Sequence, residues 1–337
     1  MTETLESIAN AMGARGRGIL AADESSGTIK KRFDTIGVAS TEETRRDYRE
    51  MLFRTTKAMH DHISGVILYD ETIRQKAEDG TPLVTLIKNA GAIPGIKVDM
   101  GTKPLPGFPG EKITEGLDGL AARLTEYYEL GARFAKWRAV LDISPNIPTS
   151  ACIKANMHAL ARYAALCQAA NIVPIVEPEV LMDAEHDIDR CYDVTHATLR
   201  VLFDELIEQN VMLDGTVLKP NMVISGKKCP KQAGPEEIAE KTIRCFKHTV
   251  PAAIPSIVFL SGGQSDIDAT ANLNAMNVKS GLPWQLSFSY GRALQAAPLK
   301  AWGGQRENVG AAQAAFAHRA TMNSLATKGE WRKFLEK

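Results

Sequence analysis

Lys219 closes an apolar run, Val217-Leu218-Lys219, and is followed at once by Pro220. Moving an ammonium into low dielectric disfavours its charged form, so a lysine placed there tends toward the free amine that attacks a carbonyl to make a Schiff base. Three other strand-length runs carry charge in the same way: Lys97 and Asp99 in 93–100, Lys136 and Arg138 in 134–140, and Glu177 and Glu179 in 172–181. Together they suit imine chemistry on a ketone. A cationic Lys136 near Lys219 favours the neutral amine and steadies negative charge developing on oxygen. Glu177 can act as acid when the tetrahedral adduct loses water and as base on the return. Asp23 can accept a hydroxyl proton as a carbon–carbon bond breaks. This chemistry needs no metal.

Two sets of residues can hold anions. Ser261-Gly262-Gly263-Gln264 and Ser289-Tyr290-Gly291-Arg292 each follow a strand-like run and open a helix, so backbone N–H groups can cradle a phosphate while Arg292 adds a charge-assisted fork. Ser25, Thr28, Lys31, Arg32 and Lys97 suggest a second site opposite. Two phosphates imply a bisphosphate ligand.

Charged side chains from distant segments converge only if the fold brings strand ends together. Eight strand-length apolar runs recur, at 18–23, 63–69, 93–99, 134–141, 172–176, 215–219, 257–261 and 285–289. Helical patterns lie between them at 41–60, 115–130, 150–170, 184–209 and 236–248, the last after Pro235. This alternation, with no polar linker or break in composition, predicts a single (β/α)8 barrel domain over 1–337, ahead of a doubly wound sheet. The Pro/Gly-rich stretch 101–110 reads as a long loop after the third strand. Barrel enzymes take reactive side chains from the carboxyl ends of their strands, where Asp23, Lys97, Lys136, Glu177, Lys219, Ser261 and Ser289 all fall. Residues two apart share a strand face, so Lys136 with Arg138, and Glu177 with Glu179, can address one cavity.

The 337 residues are 44% hydrophobic, enough for a sizeable core, and 40 basic side chains balance 40 acidic ones. That balance argues against nucleic acid or an anionic membrane as partner. Five cysteines without a C-x-x-C pair suggest neither a disulfide framework nor a zinc site. With no apolar run of signal or membrane-span length, a cytoplasmic location is expected.

Each motif has a plainer reading when taken alone. Glu177-x-Glu179 is more often a salt-bridging pair, Ser-Gly-Gly a turn, and Lys30-Lys31-Arg32 a solvated helix face. His60-Asp61-His62 is discounted as a metal site because it closes a helix at the amino end of the barrel. The helix at 184–209 reads as barrel packing or subunit contact.

In combination, the segments GILAADES (18–25), GIKVD (95–99), FAKWR (134–138), IVPIVEPE (172–179), GTVLKPNMV (215–223), FLSGGQS (259–265) and FSYGRALQ (288–295) resemble the class I, Schiff-base fructose-bisphosphate aldolases over nearly the whole chain. The resemblance implies reversible, metal-independent cleavage of fructose 1,6-bisphosphate to dihydroxyacetone phosphate and glyceraldehyde 3-phosphate in glycolysis and gluconeogenesis, by a homotetramer. It implies that Lys219 forms the imine, that Glu177 is the main acid/base, and that Asp23, Lys136 and Glu179 assist. Ser261, Gly262, Gly263, Ser289, Gly291 and Arg292 would hold the ketose-end phosphate. Ser25, Thr28, Arg32, Lys97 and Arg138 would surround the other end, with Arg45 as a weaker carry-over. Thr28 stands where the family pattern has serine and keeps the hydroxyl. The chain ends Trp331-Arg332-Lys333-Phe334-Leu335-Glu336-Lys337, without the terminal tyrosine that many eukaryotic members use in enamine proton exchange, so another group or water is expected to serve, in a bacterial cytoplasmic enzyme. Sedoheptulose bisphosphate as main substrate, or a sugar-phosphate-binding scaffold without catalysis, are the competing readings.

Overall fold

In the computed structural model, which describes residues 3–337, parallel strands close into an eight-membered ring. They are β1 (Gly18–Ala22), β2 (Ile63–Leu68), β3 (Ile93–Lys97), β4 (Phe134–Leu141), β5 (Val173–Val180), β6 (Val217–Leu218), β7 (Ser256–Phe259) and β8 (Gln285–Tyr290). Each pairs with the next, and β8 pairs back onto β1 through Ile19 with Ser289 and Leu20 with Tyr290. Closure in this order makes the fold a (β/α)8 barrel and excludes the open sheet.

The helices alternate with the strands: α1 (Leu5–Met12), α2 (Ser26–Asp34), α3 (Glu42–Phe53), α4 (Thr56–His62), α5 (Asp70–Arg74), α6 (Leu83–Asn89), α7 (Leu120–Glu129), α8 (Ser150–Ala169), α9 (Ile188–Glu208), α10 (Pro235–Thr249), α11 (Asp266–Asn277), α12 (Arg292–Trp302) and α13 (Val309–Lys328). No helix among the described residues is long and apolar enough to cross a membrane.

Caps account for several boundaries that differ from expectation. The pattern at 41–60 divides at Arg54-Thr55 into α3 and α4, and a reciprocal Thr41–Thr44 capping box starts the first of them. In α9 the Asp187 carboxylate accepts from Arg190 N–H at 2.8 Å, which starts the helix four residues later than the apolar pattern suggests. The stretch 101–110 is not wholly loop. Thr102–Pro104 pairs antiparallel with Lys112–Thr114, forming a hairpin after β3.

The barrel interior is layered. Inward-facing Ile19, Ala21, Ile67, Phe134, Val173, Ile175, Val217 and Val258 form one apolar cluster, and Ile8, Ala9 and Met12 of α1 cap it from the amino end. Two strand hydroxyls fix that plug, Ser256 Oγ donating to Ala9 O (2.9 Å) and Ser64 Oγ to Met12 O (2.6 Å). A larger apolar shell fills the space between strands and helices. Continuing by twos along the same strands, Phe134 leads to Lys136 and Arg138, Ile175 to Glu177 and Glu179, Val217 to Lys219, and Ala21 to Asp23. One alternation therefore delivers an apolar floor and a charged mouth.

The floor is tight around Phe134. A Cβ on Gly95 would lie 2.2 Å from its ring, and one on Gly65 2.9 Å from it, so these glycines make room for the aromatic side chain. Gly95→Ala should destabilise the protein by about 1–3 kcal/mol through overpacking. Guanidinium unfolding should show this as a lower midpoint at unchanged slope; an unaltered midpoint would refute the packing argument.

Candidate active site

A cavity of about 770 Å³ opens at the carboxyl end of the barrel. It is lined by Asp23, Ser25, Thr28, Arg32, Lys97, Lys136, Arg138, Glu177, Glu179, Lys219, Ser261, Gly262, Ser289, Gly291 and Arg292. Fifteen of the seventeen residues predicted from sequence thus meet in one space. The strands contribute Lys97, Lys136, Arg138, Glu177 and Glu179, while Asp23 and Lys219 sit just beyond β1 and β6.

At the centre, Glu177 stands between two amines. Its Oε1 is 3.1 Å from Lys219 Nζ and its Oε2 is 3.2 Å from Lys136 Nζ, with all three side chains about 5% exposed or less. Lys136 also lies 2.8 Å from Asp23 Oδ2. Burial alone would lower the Lys136 pKa, but Asp23, Glu177 and Asp99 outweigh it and raise that pKa above its ordinary 10.5. For Asp23, burial would raise the carboxyl pKa, and the cations Lys136, Lys219 and Lys97 hold it below its ordinary 3.8 instead. Lys136 is therefore an ammonium and Asp23 a carboxylate across the neutral range. Ser289 Oγ is buried without a hydrogen-bond partner and is available to a ligand, whereas Glu177 Oε2 is held by the Lys136 ion pair.

Around this centre several further charges are held in pairs. Arg138 Nε bonds the Glu179 carboxylate, and Lys97 Nζ donates to Asp99 O (2.8 Å) and Oδ1 (2.6 Å). Ser25 and Thr28 hydroxyls lie 3.1 Å apart at the start of α2, and Arg32 one turn on bonds Glu24. On the opposite wall Gly262 and Gly263 adopt φ of +60° and +98°, which favour glycine and turn the chain sharply after β7. Gly291 caps α12, placing Arg292 as its first residue.

Two predicted residues lie off the lining. Gly263 sits next to it, its missing Cβ position 3.1 Å from Arg292 NH2. Arg45 faces away on α3, where its guanidinium bonds Glu71 and Ser40 O. Burial and ion pairing there leave it two residues removed from the cavity residue Glu24: Glu71 Oε1 is 3.6 Å from Arg49 Nη1, and Arg49 Nη2 donates to Glu24 O at 2.8 Å. His60 and His62 are separately partnered, by Asp61 at 2.9 Å and by Thr321 Oγ1 at 3.2 Å.

The cavity also contains residues the sequence reasoning did not single out. Glu24 bonds Arg32 and accepts from Gln295 Nε2 at 2.8 Å, while the same amide donates to Ala21 O at 2.7 Å. Gln295 thereby ties the β1 loop to α12. Its signal was the three-residue spacing from Arg292, which places both on successive turns of one helix. Lys300 joins Lys31, a residue of the predicted second anion site, in a cationic rim beside Thr35, Ile36 and Leu299.

Comparison with known proteins gives a consistent neighbourhood. A family model described as fructose-bisphosphate aldolase class-I matches residues 4–337. A probable fructose-bisphosphate aldolase class 1 of Xanthomonas campestris pv. campestris is 59% identical over 331 residues, covering 98% of this chain and 99% of that protein. The cytosolic fructose-bisphosphate aldolase 6 of Arabidopsis thaliana is 56% identical, over 97% of this chain and 92% of its own. Among solved structures, a fructose-bisphosphate aldolase from Plasmodium falciparum, in a ternary co-crystal with TRAP and a small-molecule inhibitor, superposes with a TM-score of 0.94 at 48% identity, covering 97% of this chain and 95% of that one.

The central cluster has a pH signature. The depressed Asp23 pKa contributes stability that is fully present above the unfolded value of 3.8 and is lost as pH falls through the lower folded value. The raised Lys136 pKa contributes stability that is full below 10.5 and is lost only at higher pH. Lys136→Met removes the nearest counter-charge of Asp23. Its destabilisation relative to wild type should therefore grow from about pH 2 to pH 5 and stay flat to about pH 9. Urea midpoints measured across that range test this, and a pH-independent difference would contradict the assigned charge states.

Proposed function

The chain belongs to the class I fructose-bisphosphate aldolases, metal-independent lyases that cleave fructose 1,6-bisphosphate reversibly to dihydroxyacetone phosphate and glyceraldehyde 3-phosphate, and from that premise we propose how its own residues divide the reaction. The observation carrying the proposal is the placement of one carboxylate, Glu177, about 3 Å from both buried amines. Lys219 is the nucleophile. In its unprotonated form it attacks the ketose carbonyl, and Glu177 delivers the proton with which the resulting hydroxyl leaves as water, giving the imine. Glu177 can receive a proton from either side of this exchange because its two oxygens face different amines.

Lys136 is an ammonium under the proposal and stabilises oxygen-centred negative charge during addition and cleavage. Asp23, ionised beside it, takes the substrate hydroxyl proton as the carbon–carbon bond breaks, and the electron pair is received by the imine as an enamine. Glu179 holds Arg138 in place at the cavity wall. The Gly262 and Gly263 turn with Ser261, Ser289, Gly291 and Arg292 takes the ketose-end phosphate. Ser25, Thr28, Arg32, Lys97 and Arg138 face the other phosphate. Arg45 acts at a distance through Glu71 and Arg49.

One barrel domain comprising the whole chain is the functional unit in this reading, supported by strands drawn from residue 18 to residue 290. A cytoplasmic location is supported by the cytosolic designation of the Arabidopsis relative. A homotetramer follows from the family resemblance; light scattering after size exclusion tests it, and a monomer would refute it.

Borohydride reduction in the presence of dihydroxyacetone phosphate should leave its mass adduct on the peptide bearing Lys219. Lys219→Met should lose roughly 10⁴-fold or more in cleavage rate with the fold intact by circular dichroism. An adduct on another lysine would displace Lys219 from its role. Glu177→Gln should lower kcat by about 10²–10⁴-fold, the range of general acid–base catalysis, and slow imine formation in the same trapping assay.

A further inference from the structure

Lys227 lies outside the cavity lining, on the segment between β6 and α10, yet its ammonium rests on the turn assigned above to the ketose-end phosphate. A Cβ on Gly263 would meet Lys227 Nζ at 2.5 Å and Lys227 Cε at 3.0 Å. The same point is 3.1 Å from Arg292 NH2. Glycine at 263 therefore answers two demands, a φ of +98° and the close approach of a cation.

The backbone that carries this lysine is fixed. Its backbone N–H donates to Met182 O at 2.7 Å, its neighbours Gly226 and Lys228 donate to His186 O (2.8 Å) and Ala184 O (3.1 Å), and Gln232 Nε2 donates to Gly226 O at 2.9 Å. The three backbone bonds zip the segment after β6 to the segment after β5. The Met182 side chain in turn reaches the Gly262 turn, its Sδ 3.6 Å from the Cβ position there. Asp183, on the same zipped segment, takes Lys227 Nζ at 2.7 Å. Asp183 is well exposed, so water weakens its hold on the ammonium.

We propose that Lys227 is a further binding residue for the ketose-end phosphate, a second cation that shares its charge between Asp183 and a phosphoryl group seated on the Gly262-Gly263 turn. The proposal rests on the aldolase reading of the site. Lys227 and Arg292 bracket Gly263, and bringing two cations to one glycine is unfavourable unless an anion lies between or beside them. A phosphate dianion supplies that charge, and a flexible ammonium can follow it by rotation about the side-chain bonds. Asp183 then acts as a competitor that keeps the amine parked when the site is empty.

The test compares Lys227→Met, Asp183→Asn and the neighbouring surface variant Lys228→Met, using inorganic phosphate and dihydroxyacetone phosphate as inhibitors of fructose 1,6-bisphosphate cleavage. Lys227→Met should raise both inhibition constants by roughly fivefold, with the loss in KM exceeding that in kcat. Asp183→Asn should lower them by about twofold, and Lys228→Met should leave them within about twofold of wild type. Lys227→Arg should recover most of the affinity by restoring the charge. Equal shifts for Lys227→Met and Lys228→Met, or none for the former, would overturn the proposal while leaving the reaction assignment intact. Absence of cleavage by the wild-type chain would instead overturn that assignment and this proposal with it.

Discussion

Glu177 holds two buried amine side chains, Lys136 and Lys219, at about 3 Å while being nearly inaccessible to water itself. Burying an ion costs several kcal/mol even after relaxation, so this cluster survives only because each charge finds its opposite at short range. The same compensation fixes function. Lys136 with Asp23 forms a pair that stays charged across the neutral range, and Glu177 lies between that pair and the nucleophile. Remove one partner and the others are left unpaired in low dielectric, which is why stability and chemistry are coupled here.

The barrel makes such a cluster possible by separating two layers along one set of strands. Below, Phe134, Ile175 and Val217 pack under the α1 plug, with Gly95 and Gly65 surrendering their side chains to the aromatic ring. Above, two residues further on, Lys136, Glu177 and Lys219 emerge on the same inner face. The apolar floor excludes water from beneath, so the charged layer is solvated only from the mouth. Rigidity comes with it, since close packing below restrains the backbone that carries the reactive groups.

The surrounding charges work as an extended, alternating chain rather than as isolated contacts. Arg45, Glu71, Arg49, Glu24 and Arg32 follow one another from α3 to the cavity, and Gln295 bridges Glu24 to the helix that begins at Arg292. The two anion-binding walls are thereby mechanically linked.

The period-two burial of charge was legible in the chain itself. Lys219 inside an apolar run, Lys136 two residues from Phe134, and Glu177 two from Ile175 needed no coordinates, because alternation along a strand is a local property of the backbone. Eight strand-length runs with helical patterns between them likewise announced the barrel. Helix boundaries depended on local caps that apolar periodicity does not report, as Asp187 and the Thr41–Thr44 box show. What only the folded molecule decided was which charge pairs with which. Arg45, Glu24, Gln295 and Lys227 take their meaning from neighbours tens to hundreds of positions away, and that proximity is set by ring closure and loop contacts, quantities that no run of adjacent residues encodes.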